Sequence, residues 1–205
     1  MLKKFKFPLY VITHPASGFY DMKHEKEGSM KVTIINLILF WVVYSINRQY
    51  AGFVVNKVYP LTLNSLVDLT GILLMYFLWC VGNWSITTLM EGEGKFKEIA
   101  MATSYSLTPL ILAFPLATII GNYVARNEEA FYYMVIWIAV VWFIFLLFMG
   151  IMSIHNYTVS KTFATIFLTF VAILIIIFLS LLIILLLQQV YMFIYSIYTE
   201  LIFRA

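Results

Sequence analysis

Few side chains in this sequence have the types and spacing that chemistry needs. The histidines are His14, His24 and His155, and the single cysteine is Cys80. If the stretch opening at Pro15 is helical, Asp21 shares a face with His24, three residues on, and with Glu25, four residues on. That spacing can hold a metal ion, but it serves carboxylate–lysine pairing on a solvated helix equally well. No further His or Cys lies nearby in sequence, so the solvated helix is the reading adopted, and no metal or cofactor is expected. Cys80 sits in an apolar run and has no partner for an intramolecular disulfide. His155 is a lone histidine in a short connection, expected to contact water. Asp68 is the one acidic residue within a span-like run. An intramembrane carboxylate suggests function, but Asn64 and Ser65 just before it mark a helix start, where the helix dipole favours negative charge.

Two polar segments are better candidates for recognition than for catalysis. The stretch EGEGKFKE, Glu91 to Glu98, places two glycines between carboxylates, which permits a tight turn. It lacks the spacing of a phosphate loop, and its glutamates would repel a phosphate. Glu91, Glu93, Phe96 and Lys97 are its candidate contact residues. The amino-terminal segment contributes His14, Pro15, Phe19, Asp21, His24 and Glu25, on a short helix expected from Pro15 to Lys26 and ended at Gly28. Ahead of it, Lys3, Lys4 and Lys6 interleave with Phe5, Phe7 and Tyr10. That pattern suits an anchor on an anionic lipid surface, and it is compatible with a docking peptide for a soluble partner.

The elements that must position these residues belong in a membrane. Only 11% of the 205 residues are charged and 63% are hydrophobic, whereas a soluble domain carries about 25% charged residues. The mean hydropathy is +0.94. A net charge of +3 without a basic stripe excludes nucleic acid as a partner. Five runs approach the roughly 20 apolar residues that a span requires: Met30 to Ile46, Leu66 to Met90, Ile99 to Gly121, Phe131 to Ile154 and Thr162 to Leu187. None alternates as a barrel strand would. The expected class is therefore all-α, a polytopic bundle of five transmembrane helices with short interfacial helices at both ends. No cleavable leader is expected, because the first apolar run begins only after a lysine-bearing segment of about thirty residues and no small-residue cleavage site follows it. Lys3, Lys4, Lys6, Lys23, Lys26, Lys31, Lys95, Lys97 and Lys161 fall on one side, against Arg48, Lys57, Arg126 and Arg204 on the other. The positive-inside rule then puts the amino terminus in the cytoplasm and the carboxyl terminus outside. The connection from Asn47 to Ser65 is moderately apolar and is expected to lie along the interface.

The third run reads SYSLTPLILAFP, where Pro109 and Pro115 each remove a backbone hydrogen bond and should kink the helix. Ser104, Ser106 and Thr108 can satisfy the freed carbonyls, and Gly82 with Asn83 can pack closely on another helix. A kinked packing helix and a lined cavity for a ligand or lipid both fit this pattern. The organisation expected is residues 1–29 as a cytoplasmic segment, 30–187 as the five-span domain, and 188–205 as an amphipathic extension. There Tyr191, Tyr195 and Tyr198 form a stripe suited to an interfacial anchor or an oligomer contact, after a bend into the outer interface.

The plan of five spans and the stretch GEGKFKEIAMATSYSLTPLIL, from Gly92 to Leu112, resemble the Yip1 family. In that family a glycine-rich turn and an aromatic residue precede a helix carrying tyrosine, leucine and proline, here Gly92, Gly94, Phe96, Tyr105, Leu107 and Pro109. Ser104 stands where eukaryotic members usually have glycine, and their long cytoplasmic amino-terminal region has no counterpart here. Rab GTPase binding and vesicle trafficking are therefore not carried over. The segment from His14 to Ser29 is similar to the bacterial branch, some of whose members are encoded near carbohydrate ABC transporter components. The function expected is a non-enzymatic scaffold or accessory subunit in the cell membrane, binding another membrane protein or transporter complex. A small transporter or channel beside the proline-kinked span is the alternative. A lipid-directed enzyme would need the three histidines to meet.

Overall fold

Once an apolar run enters hydrocarbon, its backbone must satisfy itself, and a helix does so without an edge. The computed structural model, which describes residues 2–56 and 63–204, is helical on this principle, with no strand among the described residues. Two short helices, α1 (Leu2–Thr13) and α2 (Pro15–His24), precede α3 (Met30–Tyr50) and α4 (Ser65–Leu89). Then come α5 (Phe96–Ser106), α6 (Thr108–Tyr123), α7 (Glu129–His155) and α8 (Val159–Arg204). Among the described residues, five stretches are long and apolar enough to cross a membrane: α3, α4, the α5–α6 pair, α7 with the turn before it, and α8. The third is the most buried of the five, so the bundle is built around α5 and α6. They pack against α3 and α7, while α4 leans chiefly on α8.

Polar side chains join these helices at defined depths. Asn47 Nδ2 donates to Thr118 Oγ1 at 3.0 Å, and Asn47 Oδ1 accepts from the Tyr132 hydroxyl at 3.0 Å. One buried amide thereby links α3, α6 and α7. Beside it, Arg48 donates to Asp68, joining α3 to the first turn of α4. These two partnerships explain why α3 runs to Tyr50 rather than stopping near Ile46. A polar residue continues a membrane helix when a neighbouring helix satisfies it. At the α4–α8 contact, Asn83 Nδ2 donates to Thr169 Oγ1 at 3.2 Å.

Several elements depart from the sequence expectation. Helix α2 ends at His24, two residues short of Lys26, and Lys26 itself takes the left-handed φ of 56°. Gly28 serves packing instead, because a Cβ there would lie 2.7 Å from Met22 Cγ and 3.0 Å from Met101 Sδ. The third span carries a one-residue interruption at Leu107, which keeps right-handed helical dihedrals, two residues before Pro109, while α6 continues through Pro115. No bend follows residue 187: α8 is one helix of 46 residues. Its last eighteen residues contain neither Gly nor Pro, the usual causes of a sharp kink. The aromatic opening is not wholly interfacial either. Phe7 is buried and packs edge-on against Tyr105, ring centroids 6.0 Å apart. Within the Asn47–Ser65 connection, residues 57–62, on which the interfacial reading depends, lie outside the described residues.

Candidate interaction site

At the end of the bundle where α2 stops, three segments remote in sequence converge. Lys23 Nζ lies 2.8 Å from Glu93 Oε2, and the same oxygen accepts a 2.6 Å hydrogen bond from Asn156 Nδ2. Asn156 ends α7 with a left-handed φ of 52°, a conformation that asparagine adopts more readily than most residues. A single carboxylate oxygen thus holds α2, the connection between α4 and α5, and the turn after α7. The Lys23 ammonium, first by its hydrogen bond and then by its charge, holds the Glu93 carboxyl below its ordinary value. Glu93 remains 59% exposed at its side chain, so this clasp is also accessible surface.

Beneath the clasp lies His155, and it does not contact water as expected. It is buried, because the 92–94 backbone closes over it. The Gly94 N–H donates to His155 Nδ1 at 3.2 Å, so Nδ1 is the unprotonated nitrogen and Nε2 carries the proton. The imidazole stacks on Tyr157 with centroids 5.2 Å apart, and the Tyr157 hydroxyl donates to the carbonyl of Met90 at 3.1 Å. Lys161 Nζ sits 4.5 Å from the centre of the same ring, a favourable cation–π placement. This packing explains Gly92 and Gly94. A Cβ at Gly92 would run into the imidazole and come within 2.7 Å of the Tyr157 hydroxyl. A Cβ at Gly94 would overlap Ile154 and come within 2.7 Å of His155 Cε1. The left-handed residue of this connection is Glu91, at φ 57°. The glycines therefore allow close approach, and the turn itself falls on a glutamate. After it, the Glu98 carboxylate accepts the Lys95 N–H at 2.9 Å and starts α5.

The residues singled out in the sequence divide between surface and core. His14, His24, Glu25, Glu91, Glu93, Phe96 and Lys97 are exposed, with Pro15 and Asp21 half-buried. Phe19 is the exception within that set: it is fully buried, clustered with Val11, Tyr105 and Leu146, and therefore belongs to the core rather than to a contact surface. Its place on the inner face of α2 is what docks that helix onto the bundle. The histidines do not meet. His14 stacks on Tyr10 and His24 on Tyr20, at 4.9 and 4.2 Å between centroids. Among the described residues, no three His, Cys, Asp or Glu side chains gather to a metal-binding distance.

The break in the third span has its own chemistry. Pro109 has no N–H for the carbonyl of Tyr105, four residues back, and Thr108 Oγ1 donates to that carbonyl at 2.6 Å instead. Ser104 Oγ donates to the Thr33 carbonyl of α3 at 3.1 Å. The Tyr105 ring is fully buried, and its hydroxyl both accepts the Ser29 N–H at 2.9 Å and donates to the Ser29 carbonyl at 3.3 Å. Tyr105 thus fixes the chain as it leaves the amino-terminal segment and enters α3. Sequence reasoning missed the parts played by Asn47, His155 and Asn156. For Asn156, its position directly after a long apolar helix was a signal, since asparagine there favours a left-handed cap.

A five-span helical bundle whose amino-terminal helices are tied to the connection ahead of its most buried span is the class these features define. The Yip1 domain family matches residues 9–182, most of the chain, and the protein belongs to that family. The match takes in α2, the clasp and the Tyr105–Pro109 break, and it stops within α8. No curated protein and no solved structure matches the chain.

Proposed function

We propose that this Yip1-family membrane protein is a non-enzymatic scaffold or accessory subunit. It engages a partner, another membrane protein or a transporter complex, through the surface formed by α2 and the 91–98 stretch. The observation that carries this reading is the Lys23–Glu93–Asn156 clasp. It makes one continuous polar face from two segments about 70 residues apart in sequence, with His24, Glu25, Glu91, Phe96 and Lys97 exposed around it. The similarity of the His14–Ser29 segment to the bacterial branch supports placing the protein in a bacterial plasma membrane, with this face in the cytoplasm. Anionic lipid is a second contact of that face, through the lysines that precede α2. The alternative, a solute pathway beside the third span, has one observation in its favour: a cavity adjoins the break at Leu107. Its lining is almost wholly apolar, which suits hydrocarbon better than a hydrated solute.

Affinity purification of the full chain in mild detergent tests the proposal. A membrane-protein partner should co-purify, and Glu91→Lys combined with Lys97→Glu should release it without lowering the yield of folded protein. Recovery of the protein alone, with substitutions across 91–98 leaving the cellular phenotype unchanged, refutes the reading.

A further inference from the structure

Helix α8 outruns both the bundle and the bilayer. From Ile177 to Phe203 every residue but Thr199 is exposed, so no described element covers that length. Membrane helices tilt by up to about 40°. At that tilt a hydrocarbon core of roughly 30 Å covers about 39 Å of helix, or some 26 residues. The apolar run from Thr162 to Leu187 uses all of them. The helix nevertheless continues unbroken to Arg204, and the added turns are far from polar. Val190, Ile194, Ile197 and Leu201 are each between 45% and 66% exposed. A contiguous apolar stripe that hydrocarbon does not reach marks a protein contact.

The spacing identifies what covers it. Leu187, Val190, Ile194, Ile197 and Leu201 follow one another at alternating intervals of three and four residues, the seam of a coiled coil. Leu187, Ile194 and Leu201 take its first core position, and Val190 and Ile197 the second. Gln188, Ser196 and Thr199 fall on the opposite side of the helix. Phe193 and Tyr198 flank the seam on its two edges, so the apolar arc is wider than a two-helix contact requires. Leucine at the first core position with isoleucine at the second favours three or four strands over two. A copy of this chain in the same membrane presents the identical stripe, parallel and at the same height. Each core layer then meets its own kind, and rotation about one axis closes the assembly.

We propose that the carboxyl-terminal half of α8 is a self-association element, which joins three or four copies of this chain in a parallel helical bundle along the Leu187–Leu201 seam. That seam lies at the end of the molecule away from the partner surface and does not rest on the reading of that surface.

Two measurements on the full-length protein test this assembly. Protein extracted with its surrounding lipid into polymer nanodiscs, and counted by native mass spectrometry, should contain three or four copies. Ile194→Glu combined with Ile197→Glu places charge in the seam, outside the five-span bundle. It should leave single copies while thermal unfolding of the bundle is unchanged. In native membranes treated with an oxidant, Ile194→Cys should link copies through a disulfide and Thr199→Cys should not, with the buried Cys80 as background. The cross-linking reports on the seam even if the double variant fails to fold. Single copies or pairs of the wild type overturn the assignment, as does an unaltered count in the folded double variant. Cross-linking that is absent at Ile194→Cys, or equal at the two positions, overturns it too.

Discussion

Lys23 and Glu93 show how a single contact converts two sequence segments into one surface, and the contact has a defined pH dependence. The folded-state carboxyl titrates below its ordinary value of 4.5. Its contribution is therefore present above that value and is lost as pH falls through the depressed folded value. Amide exchange in α2, corrected for the intrinsic effect of pH, should accelerate over that acid range in the wild type. In Glu93→Gln it should already be fast at neutral pH and lack that added dependence. The reciprocal swap, Lys23→Glu with Glu93→Lys, should restore protection. Unchanged protection in Glu93→Gln would show that the apolar face of α2 suffices without the clasp. At this scale the sequence was legible for exposed polar residues, whose types alone bring them to a surface. It was not legible for Phe19 or His155, because an aromatic or imidazole side chain suits a core and an interface equally, and the neighbours decide between them.

At the scale of the element, the third span shows a local rule outcompeting a global one. Its apolar run with two prolines predicts a helix kinked at both, and Pro109 removes a ladder donor within the most buried part of the bundle, where no water can replace it. The helix is interrupted just before it, and the Tyr105 carbonyl passes to Thr108. Thr108→Val should destabilise the protein by about 1–3 kcal/mol, the cost of an unsatisfied buried acceptor. Pro109→Ala returns a backbone donor and should recover much of that loss in the double variant. Unfolding followed by circular dichroism in detergent measures both, and additive losses would contradict this account. Pro115, six residues on, leaves α6 unbroken on a face exposed outside the bundle. Sequence signals a proline's missing bond. Burial decides whether the chain must break.

The whole molecule poses the questions of orientation and reach. Cys80 is buried, so cysteines introduced singly at the exposed positions Ser17 and Asn127 can be labelled against little background. On the positive-inside reading of the thirteen basic residues, Ser17→Cys should react with an impermeant reagent only after the membrane is opened. Asn127→Cys should react in sealed cells, and the reverse pattern would invert the proposed topology. Helix α8, at 46 residues, is about 69 Å long, more than twice the roughly 30 Å hydrocarbon core. Its far half is almost wholly exposed and lies beyond the family match. Sequence by itself determined that the chain is a bundle of five membrane helices. Hydropathy and backbone satisfaction are local properties, and each span reads independently of the others. Only the tertiary structure decided that the third span is interrupted at Leu107, that Asn47 ties three helices, and that α2 meets the 91–95 connection. It also decided that Gly71 meets none of the described residues where Gly92 and Gly94 face an imidazole. Those outcomes depend on which faces meet across tens of residues, and no spacing within a single segment carries that information.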